Sequence, residues 1–341
     1  MALTRRFVQL VSVGAAGGLT FYTLWPDPSK AARTSAREPM APTHFTPATL
    51  TSSTACPGPS KLLSLTLSPT TLPTTMPGAI WSVYVKDSDM QIERPYTPLE
   101  GISSGADAGT LKFWVKRYEG GEVSRWLCSR NVGETLELRG PVQTWAMSNV
   151  DSTVFDEIIL ISGGTGITPF YQLLHSIFGS QRTESHARLP HCTLIHSSPS
   201  TSTLPPPQLL DQLASWARLN PRSFTMQVCV DAKDRVHDVS RGLKVHEGRI
   251  ETSVVEQALL RRSMRSPHAA EQASQSWLRP WRWKWRSRIN DQPIASSTNR
   301  VLFVVCGPDV MVRAIAGPKG GPTSASVLGR LGFSESQIVR L

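Results

Sequence analysis

Two stretches of this chain set residues that can hold phosphate beside residues that can cover or grip a flat ring. Arg94-Pro95-Tyr96-Thr97-Pro98 follows a segment with strand character. An arginine there can hold a pyrophosphate, a tyrosine can lie over a ring, and a threonine can offer a hydroxyl or amide to a ring nitrogen. An ordinary proline turn with a surface arginine would be spelled the same way. Next comes Trp114-Val115-Lys116-Arg117-Tyr118, where strand alternation puts Trp114, Lys116 and Tyr118 on one face. It leads into Gly120-Gly121-Glu122-Val123-Ser124, glycines opening a helix whose first N–H groups are free to bind phosphate. Ser124 also suits a plain helix cap.

The strongest local signal is Ile161-Ser162-Gly163-Gly164-Thr165-Gly166-Ile167-Thr168-Pro169. An apolar strand meets three glycines and then a helix opened by a proline, which a first turn tolerates. Such a turn lets backbone approach a dinucleotide at the carboxyl end of a first strand, although the spacing is not GxGxxG. Further on, Val301–Val305 ends in Cys306-Gly307-Pro308, a thiol where a strand stops, facing the same crevice. Buried packing is the commoner use of such a cysteine.

These residues need two kinds of scaffold. Residues 45–150 carry short apolar or alternating runs (Leu62–Leu67, Ile80–Val85, Leu111–Lys116, Thr135–Leu138) split by Pro, Gly and Ser, the spacing of a small antiparallel β-barrel. Residues 151–341 alternate apolar strands (Glu157–Ser162, Cys192–His196, Thr225–Val230, Val301–Cys306) with helical stretches (Phe170–Phe178, Gln208–Arg218, Val254–Arg261). That alternation predicts βαβ units on a parallel sheet, an α/β domain following the barrel.

The order RPYT, KxY, GxxS, LRGP (Leu138–Pro141), GGTGITP and CGP resembles NADH–cytochrome b5 reductase and its ferredoxin-reductase-type relatives over residues 45–341. The resemblance implies an FAD-binding barrel, an NAD(P)-binding α/β domain, and an oxidoreductase passing electrons from NADH or NADPH through FAD to a one-electron acceptor. It implies that Arg94, Pro95, Tyr96 and Thr97 contact the FAD phosphate, isoalloxazine and ribityl–N5 region. Lys116 and Tyr118 would lie along the flavin, and Gly121, Val123 and Ser124 at its pyrophosphate. Thr168 would touch flavin and nicotinamide, while Gly163, Gly164, Thr165, Gly166, Cys306, Gly307 and Pro308 would place the nicotinamide. Thr168 and Cys306 are thus expected nearest the reacting atoms, as positioning groups.

Two departures stand out: Glu122 occupies a position where the family usually has Lys, and CGP continues as Asp309-Val310-Met311 without further prolines. CGPDVM, the Ala314–Lys319 stretch and the N-terminal apolar segment narrow the likeness to the fungal mitochondrial inner-membrane flavoprotein of cytochrome c biogenesis. That branch implies a haem or haem-protein acceptor, partners in cytochrome c maturation, and catalytic domains facing the intermembrane space. A generic NADH–cytochrome b5 reductase and a non-catalytic flavin-containing assembly factor are the competing functions. The second strand of the α/β half ends His196-Ser197-Ser198, with neither the acid that grips a ribose 2′-hydroxyl nor an arginine for a 2′-phosphate.

Composition sets the outer bounds. With 341 residues, 40% apolar and 18% charged, the chain is neither disordered throughout nor a polytopic membrane protein. The formal charge of +10 resides in residues 1–40 (net +3) and 261–300 (net +7), and the remainder is neutral. A nucleic-acid enzyme would spread that charge over its working face, so no nucleic-acid partner is expected. Phe7–Trp25 is uncharged for 19 residues behind Arg5 and Arg6. A membrane anchor, a cleaved leader and a buried helix all fit; the expectation is an anchor or targeting segment over 1–26, then a Pro/Ala/Ser-rich linker over 27–44. An insert at 263–299 interleaves Trp277, Trp281, Trp283 and Trp285 with Arg279, Arg282, Lys284, Arg286 and Arg288. Read as a solvated loop, a lipid-docking segment around 277–288, or a partner or nucleic-acid site, it is longer than a βα unit needs. The five cysteines show no CxxC and no zinc spacing, so reduced, largely buried thiols and no bound metal are expected.

Overall fold

The computed structural model describes residues 32–74, 76–100, 109–150, 154–179, 190–232, 245–263, 300–321 and 323–341. The apolar segment 7–25 and, apart from Ser263, the tryptophan-rich insert lie outside them. Among the described residues no helix is long and apolar enough to cross a membrane.

The first half is an antiparallel sheet of β1 (Thr46–Cys56), β2 (Ser60–Leu67), β3 (Ala79–Asp87), β4 (Ile92–Tyr96), β5 (Thr110–Lys116) and β6 (Thr135–Ala146), in the order β4-β3-β6-β1-β2-β5. Alternation drives it: Leu63, Leu65 and Leu67 point inward from β2 to meet Leu50, Val83, Val85, Leu111 and Leu138. The outer strands come together where Leu99, just past β4, donates its N–H to the Lys112 carbonyl of β5 at 2.8 Å, curling the sheet into the expected barrel. Arg94-Pro95-Tyr96 lies on β4 and not in a turn. An edge strand tolerates Pro95, which lacks a ladder donor. The strand expected at Thr135–Leu138 continues to Ala146, because β3 pairs along its whole length. Helix α1 (Glu122–Ser129) packs Val123 and Leu127 onto the barrel.

Part of the segment expected as a linker is packed against this barrel. Ser35 and Phe45 bond across a turn, with Ser35 N–H to the Phe45 carbonyl at 2.8 Å, and Met40, His44 and Phe45 are buried. The Phe45 ring lies under both Lys86 and Arg139, so an aromatic side chain anchors what composition alone reads as spacer.

The second half is a parallel sheet of β7 (Glu157–Gly163), β8 (His191–Ser200), β9 (Phe224–Ala232), β10 (Val245–Glu247), β11 (Val301–Cys306) and β12 (Ile338–Arg340), in the order β10-β9-β8-β7-β11-β12. Its strands are apolar on both faces because both are covered. On one side Ile159, Ile161, Phe303 and Val305 meet α4 (Thr252–Ser263), α5 (Asp309–Ala316) and α6 (Val327–Arg330). On the other, Ile158, Leu160 and Leu194 meet α2 (Thr168–Leu174), α3 (Pro207–Leu219) and four barrel residues, Ile80, Leu99, Trp114 and Trp145. One core therefore runs through both halves. Every residue of α2 is buried, so it lacks the polar face of a surface helix. At His175–Gly179 it passes into a wider turn, which splits the helix expected over Phe170–Phe178.

Candidate active site

Strand order reverses at β7: β8 and β9 lie to one side, β11 to the other. Doubly wound sheets bind ligands at such a reversal, outside the carboxyl ends of the strands. Here those ends carry the two glycine segments, paired so that Ser162 lies opposite Cys306. The β7 chain turns through Gly164–Ile167 into α2, and the approach to the 306–307 loop is close. A Cβ on Gly166 would sit 2.3 Å from the Cys306 carbonyl oxygen, and one on Gly163 2.3 Å from Met311 Sδ. The residues after CGP therefore have a packing role, with Met311 filling the space over Gly163.

Facing this crevice, the barrel contributes β4, the end of β5 and the start of α1. Together they enclose a cleft of about 440 Å³ lined by Arg94, Pro95, Tyr96, Thr97, Lys116, Tyr118, Gly121, Val123 and Ser124 from the barrel, and by Thr165, Gly166, Thr168, Cys306 and Gly307 from the α/β half. Gly163, Gly164 and Pro308 do not line it and stand immediately behind it in the chain. Segments some two hundred residues apart in sequence thus meet in one place.

Local folding explains each placement. Glu93, next to Arg94, is gripped by both arms of Arg139 from the LRGP segment, with Nε to Oε2 at 2.6 Å. That pair orients β4, and Arg139 also lies 4.4 Å from the Tyr84 ring centroid. Thr97 Oγ1 shares a hydrogen bond with Ser82 Oγ at 3.1 Å. Burial pushes the Tyr96 phenol up, so it stays neutral, and burial lowers the Lys116 ammonium. Gly121 begins α1 with no side chain capping the helix, leaving its first N–H groups available to an anion in the cleft. Ser124 Oγ donates to the Gly121 carbonyl at 3.0 Å and accepts the Tyr118 N–H at 3.3 Å, tying the loop to the helix. A Cβ at Gly121 would come within 2.5 Å of that oxygen. Across the seam, Tyr118 Oη and Thr165 Oγ1 meet at 3.2 Å.

The candidate reactive groups are quiet. Thr168 Oγ1 donates to the Thr165 carbonyl at 3.0 Å, and burial pushes the Cys306 thiol up to about 12. All five cysteines are free. Below the turn, buried His196 bridges Ser162 Oγ (2.9 Å to Nδ1) and Ser198 Oγ (3.2 Å to Nε2), and burial lowers it to about 3. The cleft-lining residues not anticipated from the sequence are Trp114, Val115, Gly120, Glu122 and Pro169. Alternation had put Trp114 on the Lys116 face, and that signal alone could have found it.

Residues 47–147 match the model of the oxidoreductase FAD-binding domain, and residues 155–317 that of the ferric reductase NAD-binding domain. The chain belongs to the ferredoxin-reductase-type FAD/NAD(P) oxidoreductases. It is 36% identical over 169 residues to an uncharacterized FAD-binding protein of Schizosaccharomyces pombe, covering 49% of this reductase and 56% of that protein. It is 27% identical over 261 residues to NADH-cytochrome b5 reductase 2 of Scheffersomyces stipitis, covering 75% and 69%. In fold it is similar to the cytochrome b5 reductase domain of Ulva prolifera nitrate reductase, with a TM-score of 0.57, 18% identity, and 89% and 100% coverage. FAD and a nicotinamide nucleotide are the cofactors of this NAD(P)H-dependent reductase. The observed cleft fits them: an uncapped helix start and an arginine for a pyrophosphate, half-buried neutral Tyr96 for a ring, and glycine backbone packed too closely for side chains.

Proposed function

We propose that this reductase takes hydride from NADH or NADPH and delivers single electrons to a haem or haem-protein acceptor. The observation that carries the reading is the meeting of the RPYT strand, the α1 start and the two glycine segments in one cleft. Bound FAD supplies the conversion of hydride to single electrons. The protein's own share is placement. Arg94, the Gly121 turn and the N–H groups at Glu122–Ser124 hold the pyrophosphate; Pro95, Tyr96, Thr97, Lys116 and Tyr118 line the ring; Gly163–Gly166, Thr168, Cys306, Gly307 and Pro308 set the nicotinamide. A thiol at about 12 neither donates nor accepts a proton at working pH, so Cys306 acts by contact.

The haem-protein acceptor is supported by relatives that bear the name NADH-cytochrome b5 reductase 2. Within that reading we place the reductase in cytochrome c maturation at the mitochondrial inner membrane, facing the intermembrane space. Support comes from the uncharged Phe7–Trp25 segment behind Arg5 and Arg6, with 263–299 as a second lipid contact. The decisive experiment is anaerobic: the purified protein should show flavin absorbance that NADH or NADPH bleaches, and re-oxidation by haem, cytochrome b5 and ferricyanide should be compared. Protein that carries no flavin, or flavin that neither nucleotide bleaches, refutes the reductase reading. Vesicle binding of protein lacking residues 1–26, with and without 263–299, tests the lipid contact; equal binding refutes it.

A further inference from the structure

We infer that Gln172 is a positioning residue that fixes the flavin-side wall of the cleft against the nucleotide-side wall, an inference that rests on the reductase reading above. Gln172 lies one helical turn after Thr168 in α2 and is 2% exposed. Its Oε1 accepts the Trp81 N–H at 2.8 Å, and its Nε2 donates to the Trp81 carbonyl at 3.1 Å. Both functions of one side-chain amide are therefore spent on the backbone of one residue in the other sheet.

Trp81 needs such a partner for a local reason. The pairing of β3 with β6 shifts register between Ile80 and Trp81 and again between Ser82 and Tyr84. Irregular pairing leaves backbone groups without ladder partners, and buried ones must find others. Gln172 supplies a donor and an acceptor at strand-like spacing. Burial alone does not call for an amide here, since its helix neighbours Phe170, Leu173 and Leu174 fill the same core with apolar side chains. An apolar side chain would pack but could slide; the paired bonds admit one register.

What Trp81 joins gives the contact its consequence. The next residue, Ser82, bonds through its hydroxyl to Thr97 at 3.1 Å, and Val83 pairs with Tyr96. A short path thus runs from Thr168 through one turn of helix, an amide pair, one residue of β3 and a hydroxyl pair to Thr97. Tyr118 to Thr165, a second polar side-chain link between the cleft walls, is exposed to water. The Gln172 link is buried, and a misplacement of about 1 Å at a reacting pair can cost about a hundredfold in rate.

The test uses the full FAD-loaded chain and the variants Gln172→Met, Ser82→Ala and the double variant, with rapid-mixing flavin reduction by NADH or NADPH and hydrogen exchange at the Trp81 amide. Gln172→Met should retain FAD, expose the Trp81 amide to faster exchange, and lower the limiting reduction rate about tenfold while half-saturation moves less than about twofold. Ser82→Ala should lower the rate in the same direction by about threefold, and the double variant should lose less than the product of the two because they break one path. Faster Trp81 exchange with a limiting rate within about twofold of the unmodified chain overturns the inference. If Gln172→Met loses FAD, Ser82→Ala decides alone, and an unchanged rate in it overturns the inference. Unmodified protein that neither nucleotide reduces overturns the reductase reading as well, whereas normal reduction with unaffected variants overturns this inference only.

Discussion

Replacing Gly166 by alanine tests whether the close approach of the two glycine segments sets the reaction geometry. The new methyl would lie 2.3 Å from the Cys306 carbonyl oxygen, 2.6 Å from its carbon and 2.8 Å from Gly307 Cα, where ordinary contact begins at 3.4 Å. The segments must then part by about 1 Å, the difference between contact and clash. All three neighbours are backbone, so no rotamer can absorb the shift. Overpacking of this sort costs about 1–3 kcal/mol of stability, and a misplacement of about 1 Å at a reacting pair can cost about a hundredfold in rate. Gly133 is the control. It has φ +97 with nothing within 4 Å and does not line the cleft, so Gly133→Ala strains the backbone without pushing the glycine segments apart. Thermal unfolding should therefore drop for both variants, while rapid-mixing flavin reduction should fall by about two orders of magnitude only for Gly166→Ala. A Gly166→Ala enzyme that reduces its flavin within about threefold of the unmodified rate would falsify the reasoning. Equal loss in the Gly133 variant would trace the effect to general destabilisation.

Three further outcomes are expected. Arg94→Ala should weaken FAD binding by about 2 kcal/mol, roughly thirtyfold, and Glu122→Lys should strengthen it by removing a carboxylate from the phosphate end of the cleft; flavin fluorescence titration reads both, and opposite signs would count against the pyrophosphate placement. Cys306→Ala should keep FAD but slow its reduction by NADH, and an unaffected reduction rate would show that the nicotinamide lies elsewhere. His196 falls from 6.5 to about 3 through burial, so the folded state excludes a proton that the unfolded chain takes up. Its stabilisation is complete above pH 6.5 and is lost as pH falls towards 3. Urea unfolding should show a shallower acid loss for His196→Gln than for the unmodified chain, and parallel curves would refute the assignment.

The division into a barrel and an α/β half is legible because strand periodicity changes character near residue 150: β2 alternates, whereas β7 runs apolar without a break from Ile158 to Ile161. Shorter strands are not. β4 contains Arg, Pro and Glu in five residues, and β10 and β12 have three residues each, so what makes them strands is the neighbour they pair with. The proline that opens α2 is legible, but its extent is not: with every face buried, Thr168–Leu174 carries no periodic signal to mark where the helix widens at His175. In the site, the glycine segments were readable as local spelling, and Trp114 followed from alternation. Gln172 and Ser82 were not readable, since each acts through a contact with a residue distant in sequence, 91 positions for Gln172 and 15 for Ser82.

The contacts that hold the cleft differ in kind, and together they account for a site without an acid–base catalyst. Backbone packed on backbone at Gly166 and Cys306 sets the width on the nucleotide side. An amide pair at Gln172 and Trp81 sets the offset between the halves. A half-buried pairing of both Arg139 arms with Glu93 holds the strand that carries Arg94 and Tyr96. Meanwhile the groups whose types suggest reactivity are spent or silenced: Thr168 bonds its own turn, Cys306 holds its proton to about 12, and His196 is buried between two serines. Hydride transfer needs no proton delivered by the protein at the moment of reaction, so it is the chemistry such a cleft can serve by geometry alone. The same logic makes rate, not affinity, the quantity most exposed to substitutions at the seam.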